Sequence, residues 1–226
     1  MNFTRVFQEA IPSLAWGFLM TVEITLISLF FAFFLGLIAC LFNTSKKRAL
    51  RYIAKFYIWL VRGTPMLVQA MFIYLGLPQL IQLLIYPDFR LTAFQAGAIV
   101  LSLNAGAYIA EILRGGIQAV DPGQMEAARS LGMSKSRSMY KVILPQALRI
   151  SIPSLVNQSI ITLKDTSIIS AIGLAEIVYQ AKIYVGKSME FFATYTIIAL
   201  FYLAFVTLLT WLSSYLEKRL NYGRKG

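Results

Sequence analysis

Histidine is absent from the 226 residues. That removes the commonest general base at neutral pH and the commonest metal-binding side chain, and it weighs against a hydrolase or a metalloenzyme. Cysteine is nearly absent: Cys40 stands alone in an apolar run, so no disulfide framework or thiolate metal site is available. Its ordinary reading is a small buried hydrophobe. No G-x-x-x-x-G-K-[ST] phosphate loop occurs, since Gly132-Met133-Ser134-Lys135 lacks both the spacing and the preceding strand. Any nucleotide chemistry would belong to another chain. Charge is scarce as well, at 14% of residues, and acids are outnumbered 10 to 21 by basic residues.

What is plentiful is hydrocarbon. Hydrophobic residues make up 58% of the chain, which places it among membrane proteins. The net charge of +11 raises the question of nucleic acid, but the cations sit in loops between apolar segments and no base-reading motif accompanies them. Lys46, Lys47, Arg48, Arg51 and Lys55 form one cluster, Arg129, Lys135, Arg137, Lys141 and Arg149 a second, and Lys218, Arg219, Arg224 and Lys225 a third. The N-terminal residues lack a basic signal-peptide start and are expected to be retained. One transmembrane domain over residues 1–226 is expected, with spans at about 12–42, 52–86, 91–116, 147–171 and 191–216 and a polar loop at about 117–146. Pro12 marks the start of the first span, and Glu23 within it reads as a buried hydrogen-bonding or interfacial residue. Arg62-Gly63-Thr64-Pro65 breaks the second span at membrane depth, which is tolerable only where protein or a water-filled cavity surrounds the free backbone. Residues 172–186 read as a short surface helix and turn. Five spans put the termini on opposite sides, and alternate basic loops place the C-terminus in the cytoplasm and the N-terminus outside.

The polar loop is strongly punctuated. Asp121 is a helix N-cap, Pro122 occupies the position where a missing N–H costs nothing, and Gln124 completes a box-like cap. The helix is expected to stop near Leu131, with Gly132 supplying the left-handed residue. Ser134 caps a second short helix over Lys135 to Lys141, and Pro145 punctuates entry into the next span. Glu126-Ala127-Ala128-x-x-x-Gly132, followed by Val142-Ile143-Leu144-Pro145, resembles the EAA loop of ABC importer membrane subunits. In that family this loop is the coupling helix that inserts into a cleft on the ATPase. The resemblance assigns the coupling role to Glu126, Ala127, Ala128, Arg129 and Gly132. Val142 stands where the family more often has isoleucine.

Arg62-Gly63-Thr64-Pro65-Met66-Leu67-Val68-Gln69, Asn104-Ala105-Gly106-Ala107-Tyr108-Ile109-Ala110-Glu111 and Leu163-Lys164-Asp165-Thr166-Ser167 extend the resemblance over nearly the whole chain. They resemble the polar amino-acid uptake branch of type I importers, the histidine, arginine and glutamine type. The resemblance implies an all-α polytopic membrane protein with five transmembrane helices and a cytoplasmic coupling loop. It implies alternating access in a prokaryotic inner membrane, a homodimer or related partner permease, an ATPase dimer that binds ATP and Mg, and an extracellular or periplasmic amino-acid-binding protein. This chain itself would bind no cofactor and no metal.

Charged residues within a bilayer are costly and mark candidate sites. Arg62, Thr64, Leu67, Asn104, Tyr108, Glu111, Lys164, Asp165 and Thr166 are the candidates for a substrate path between spans two, three and four. A polar or cationic amino acid would find a cation for its carboxylate and acceptors for its amine there. Other roles stand beside this one: Glu111 pairing with Arg114, Arg62 pairing with Glu111 or capping carbonyls, and Lys164 and Asp165 reaching the outer interface. An ion-gradient-driven carrier or channel, acting without an ATPase, is the rival function, and a membrane scaffold is a third.

Overall fold

The computed structural model describes the backbone of residues 3–221 and the side chains of residues 3–215. The tail cluster therefore lies outside the described residues, apart from the helical backbone at Lys218 and Arg219. Ten α-helices are described: α1 (Phe3–Asn43), α2 (Arg48–Gly63), α3 (Met66–Met71), α4 (Leu77–Leu84), α5 (Ala93–Gln118), α6 (Pro122–Ser130), α7 (Lys135–Ser138), α8 (Leu144–Ile169), α9 (Ile177–Ser188) and α10 (Phe191–Asn221). No strand occurs among them, as expected where water is not available to satisfy a sheet edge.

Four stretches are long and apolar enough to cross a membrane: Phe3–Asn43, Met66–Leu84, Ala93–Gln118 and Phe191–Tyr215. The fifth arises only when the helix through α8 and the short α9, bent by 48°, are counted as one broken span. The reason lies in α8 itself, where Arg149, Asn157, Lys164 and Asp165 dilute the hydrocarbon. α1 is longer than its predicted span. Pro12 sits inside it rather than at its start, and the carbonyl that loses a donor belongs to exposed Gln8, which polar surroundings can satisfy.

α5 is the central helix, with α1 packed along most of its length and α8 running beside it from Gly116 back to Gly97. Small residues make this possible. Ala96, Gly97, Ala105, Gly106, Ala107 and Ala110 are buried on α5, and Ser28, Ala32 and Gly36 face them from α1. A β-carbon at Gly36 would lie 2.8 Å from Ile109 Cβ, so the two backbones approach as closely as glycine allows. The Tyr57 hydroxyl ties α2 to α5 by donating to the Leu103 carbonyl at 2.6 Å. Cys40 is buried in this same apolar seam, as its composition suggested. Of the two readings of Glu23, the buried one is ruled out. The side chain is exposed on α1, with no buried partner.

Prolines are accommodated by a repeated device. A π turn at Phe72–Gly76 precedes Pro78, and another at Met139–Ile143 precedes Pro145. In each the amide closing the turn reaches five residues back, Leu77 to Phe72 and Leu144 to Met139. The wider turn carries the opposing carbonyl away from the proline ring, so neither helix has to break. α7 accordingly does not stop before Pro145 but runs on into α8.

Residues 172–188 are more deeply held than a surface helix would be. Gly173 turns the chain at φ 89° and Glu176 caps α9 by accepting from the Tyr179 amide at 2.8 Å. Ile177, Ala181 and Val185 are buried, with Ile177 and Ala181 packed against Val6, Ala10 and Leu14 of α1.

Candidate functional site

The break at Gly63-Thr64-Pro65 falls ahead of the Met66–Leu84 crossing stretch rather than inside it, and it is closed by its own side chains. α2 ends at Gly63, and Thr64 and Pro65 are extended, which leaves helix-terminal carbonyls without amide partners. Gln69, one turn into α3, donates through Nε2 to the Val61 carbonyl at 2.7 Å, to the Thr64 carbonyl at 3.0 Å and to Thr64 Oγ1 at 2.8 Å. Thr64 Oγ1 in turn donates to the Leu60 carbonyl at 2.9 Å. Thr64 thus serves the backbone, and Gln69, missed as a functional residue, holds the kink. Its signal was a lone polar residue four places after Pro65.

Arg62 lies in the last turn of α2, where a cation is favoured by the helix dipole. Its guanidinium is 3.7 Å from Glu111 Oε2 and 5.1 Å from the centre of the Tyr108 ring. Glu111 also accepts two bonds from Arg114, at 2.8 and 3.1 Å, and Arg114 donates onward to Gln118 Oε1 at 2.8 Å. One carboxylate therefore holds two guanidiniums, giving a polar ladder from the break down α5 toward α6. It opens on a hollow of about 330 Å³ lined by Asn43, Lys55, Ile58, Trp59, Glu111 and Arg114. A larger groove between α1 and α10, about 870 Å³, is lined by Phe7, Phe18, Phe201 and Phe205 with no charged residue, and takes no part in the site.

The remaining candidates separate from this ladder. Gly97 against Ile169 and Gly116 against Ser151 set α5 and α8 in antiparallel register. In that register Lys164 stands level with about residue 102 of α5, roughly 13 Å from Glu111 at ~1.5 Å per residue. Lys164 is exposed, Asp165 is half-buried, and Asn104, also half-buried, lies at the same level. Leu67 is 45% exposed beside the break. Thr166 does not line an open path: it is fully buried, donates to the Leu163 carbonyl at 2.7 Å and faces Tyr202. Its position one residue past Asp165 turns it to the packed side of α8.

At the far end of α5 the polar loop folds much as its caps dictate. Asp121 accepts from the Gly123 amide at 2.7 Å, and α6 ends in a Schellman arrangement, with the Gly132 amide on the Arg129 carbonyl and the Met133 amide on the Ala128 carbonyl. Gly132 has φ 80°. Ser134 caps α7 through the Arg137 amide. Gln124 departs from expectation: its Oε1 accepts from Gln146 Nε2 at 3.2 Å, joining α6 to α8 instead of closing a capping box. Val120, Ile143 and Ala147 form the apolar seam beneath, with Met125 against it. Glu126, Ala127 and Arg129 are exposed, whereas Ala128 is buried at 5% and belongs to the loop's own packing rather than its outer face.

Residues 32–222 match the family model described as the binding-protein-dependent transport system inner membrane component. The chain is 36% identical over 212 residues to the glutamine transport system permease protein GlnP of Escherichia coli (strain K12), covering 94% of each. It is 35% identical over 211 residues to the arginine transport system permease protein ArtQ of Bacillus subtilis (strain 168), covering 93% of this chain and 94% of that one. Among solved structures, an amino acid ABC transporter crystallised with histidines superposes with a TM-score of 0.90 at 38% identity, over 97% of this chain and 99% of that one. The methionine transporter MetNI in an inward-facing form shares the fold, at a TM-score of 0.77 and 18% identity. The chain belongs to the family of binding-protein-dependent transport system inner membrane components.

Proposed function

We propose that the chain is the membrane-spanning subunit of an ATP-driven amino-acid importer and forms the translocation path by alternating access. The carrying observation is the capped α6: an exposed Glu126-Ala127-x-Arg129 edge backed by an apolar seam and by the Gln124–Gln146 bond, so that a push on α6 reaches α8. The relatives named as glutamine and arginine permeases support a polar or cationic amino acid as cargo. Arg62 would meet its carboxylate, with Asn104 and Asp165 offering acceptors to its amine or side chain further along the path. Exposed Arg62, Asn157 and Lys164 at membrane depth favour a second permease copy meeting this polar face. The basic clusters at the α6 end support a cytoplasmic position for that end and for the C-terminus, with the ATPase dimer and its ATP and Mg on that side and a binding protein acting on the other.

The test is uptake of labelled glutamine and arginine into proteoliposomes holding this chain, with and without its ATPase and binding protein. Uptake requires ATP and the ATPase. Ala127→Trp, on the exposed edge, leaves the permease folded but clashes in the ATPase cleft, lowering uptake by about tenfold for an overpacking cost of 1–3 kcal/mol. Transport by the chain alone, indifferent to ATP, overturns the reading in favour of a gradient-driven carrier.

A further inference from the structure

The turn between α1 and α2 gathers Lys46, Lys47, Arg48, Arg51 and Lys55 at the end of a membrane-crossing helix. None of them forms a salt bridge among the described residues, and the stretch from Asn43 to Val61 contains no acid. The first turn of α2 adds to the unbalanced charge. It has no acidic residue, and its N-cap Lys47 makes no side-chain cap bond. Cations here oppose the helix dipole, so the fold alone leaves this corner electrostatically unfavourable. Arg48, Arg51, Tyr52 and Lys55 surround a hollow of about 290 Å³.

What lies beneath the cations identifies the partner. Tyr52, Phe56 and Trp59 are 71%, 61% and 68% exposed and continue the same face of α2 at helical spacing, while Ala54, Ile58 and Val61 bury the opposite face. Cationic heads, then tyrosine and tryptophan, then hydrocarbon is the order of side chains that matches the headgroup, interfacial and acyl layers of a bilayer. An acidic protein surface would complement the charge but would have no use for the aromatic stripe. We infer that the Arg48, Arg51, Tyr52 and Lys55 hollow binds the phosphodiester headgroup of an anionic phospholipid, with its acyl chains lying along Phe56 and Trp59. The guanidiniums suit such a phosphate because they offer paired donors, and the free amides of the α2 N-terminus point the same way.

The experiment is an intrinsic tryptophan titration of the detergent-purified full chain with dioctanoyl phosphatidylglycerol, dioctanoyl phosphatidylcholine and inorganic phosphate. Saturable binding of phosphatidylglycerol is expected, at least about tenfold tighter than phosphatidylcholine, and phosphate at the same concentration should not displace it. Replacing Arg48, Arg51 and Lys55 together by glutamine should weaken phosphatidylglycerol by about a hundredfold, near fivefold per cation. Lys135→Gln with Arg137→Gln, a pair of cations on the polar loop, should leave it unchanged. Equal affinity for the two lipids in the unaltered chain overturns the inference without recourse to any variant. So does full displacement by phosphate, which would mark a free-anion site, or unchanged affinity in the triple variant.

Discussion

Glu111→Ala is expected to reduce ATP-driven uptake about tenfold and to lower the thermal stability of the purified chain. The carboxylate is shared by Arg62 at 3.7 Å and by Arg114 at 2.8 Å, so its removal leaves two guanidiniums facing one another beside the break. Breaking a fully buried pair costs about 3–5 kcal/mol. These side chains remain 24–43% exposed, and solvent screening brings the expectation down to roughly 1–2 kcal/mol. Glu111→Gln keeps the shape and the acceptor for Arg114 but removes the charge. If charge is what holds Arg62 against Tyr108, the glutamine variant transports nearly as poorly as alanine. Wild-type uptake and melting temperature in both variants would show that the ladder is incidental to transport.

A larger loss of stability is expected one helix turn further on. A β-carbon at Gly116 would overlap the Ser151 side chain and lie 2.8 Å from the Ala147 carbonyl, a backbone atom that cannot swing aside. Gly116→Val must therefore push α5 from α8, at a cost near the upper end of overpacking, about 3 kcal/mol. For a chain of this length that corresponds to roughly 6–12 °C in Tm. Its neighbour provides the contrast. Nothing lies within 4 Å of a β-carbon at Gly115, so Gly115→Ala should stabilise the helix by about 0.5–1 kcal/mol. The two adjacent substitutions are checked by thermal unfolding in detergent and by monodispersity. Equal behaviour of the pair would mean that α5 and α8 are not packed at this register.

The parts legible in the sequence were those governed by local chemistry. Asp121, Pro122, Gly132 and Ser134 act at the loop's helix ends as their residue types dictate, because caps and turns depend on atoms only two to six residues apart. The break at Gly63-Thr64-Pro65 was legible for the same reason. What sequence could not supply was direction. Ala127 and Ala128 read alike, yet one is exposed and the other buried, and Thr166 reads like a path residue but turns into the core. Such distinctions depend on which helix arrives from elsewhere in the chain. The Gln124–Gln146 bond spans 22 positions and follows from the way α8 folds back beside α6.

The two π turns carry a consequence for how such a chain can change length. Each turn holds one residue more than the helix around it needs, parked immediately ahead of a proline. Deleting one residue from Phe72–Gly76 or from Met139–Ile143 would wind that turn down to an ordinary one and leave the faces of the flanking helices in phase. The ring of Pro78 or Pro145 would then strike a carbonyl it now avoids. Such a shortened chain should insert and fold well only when the matching proline is replaced at the same time, so insertion and proline form a linked pair of changes that stand or fall together.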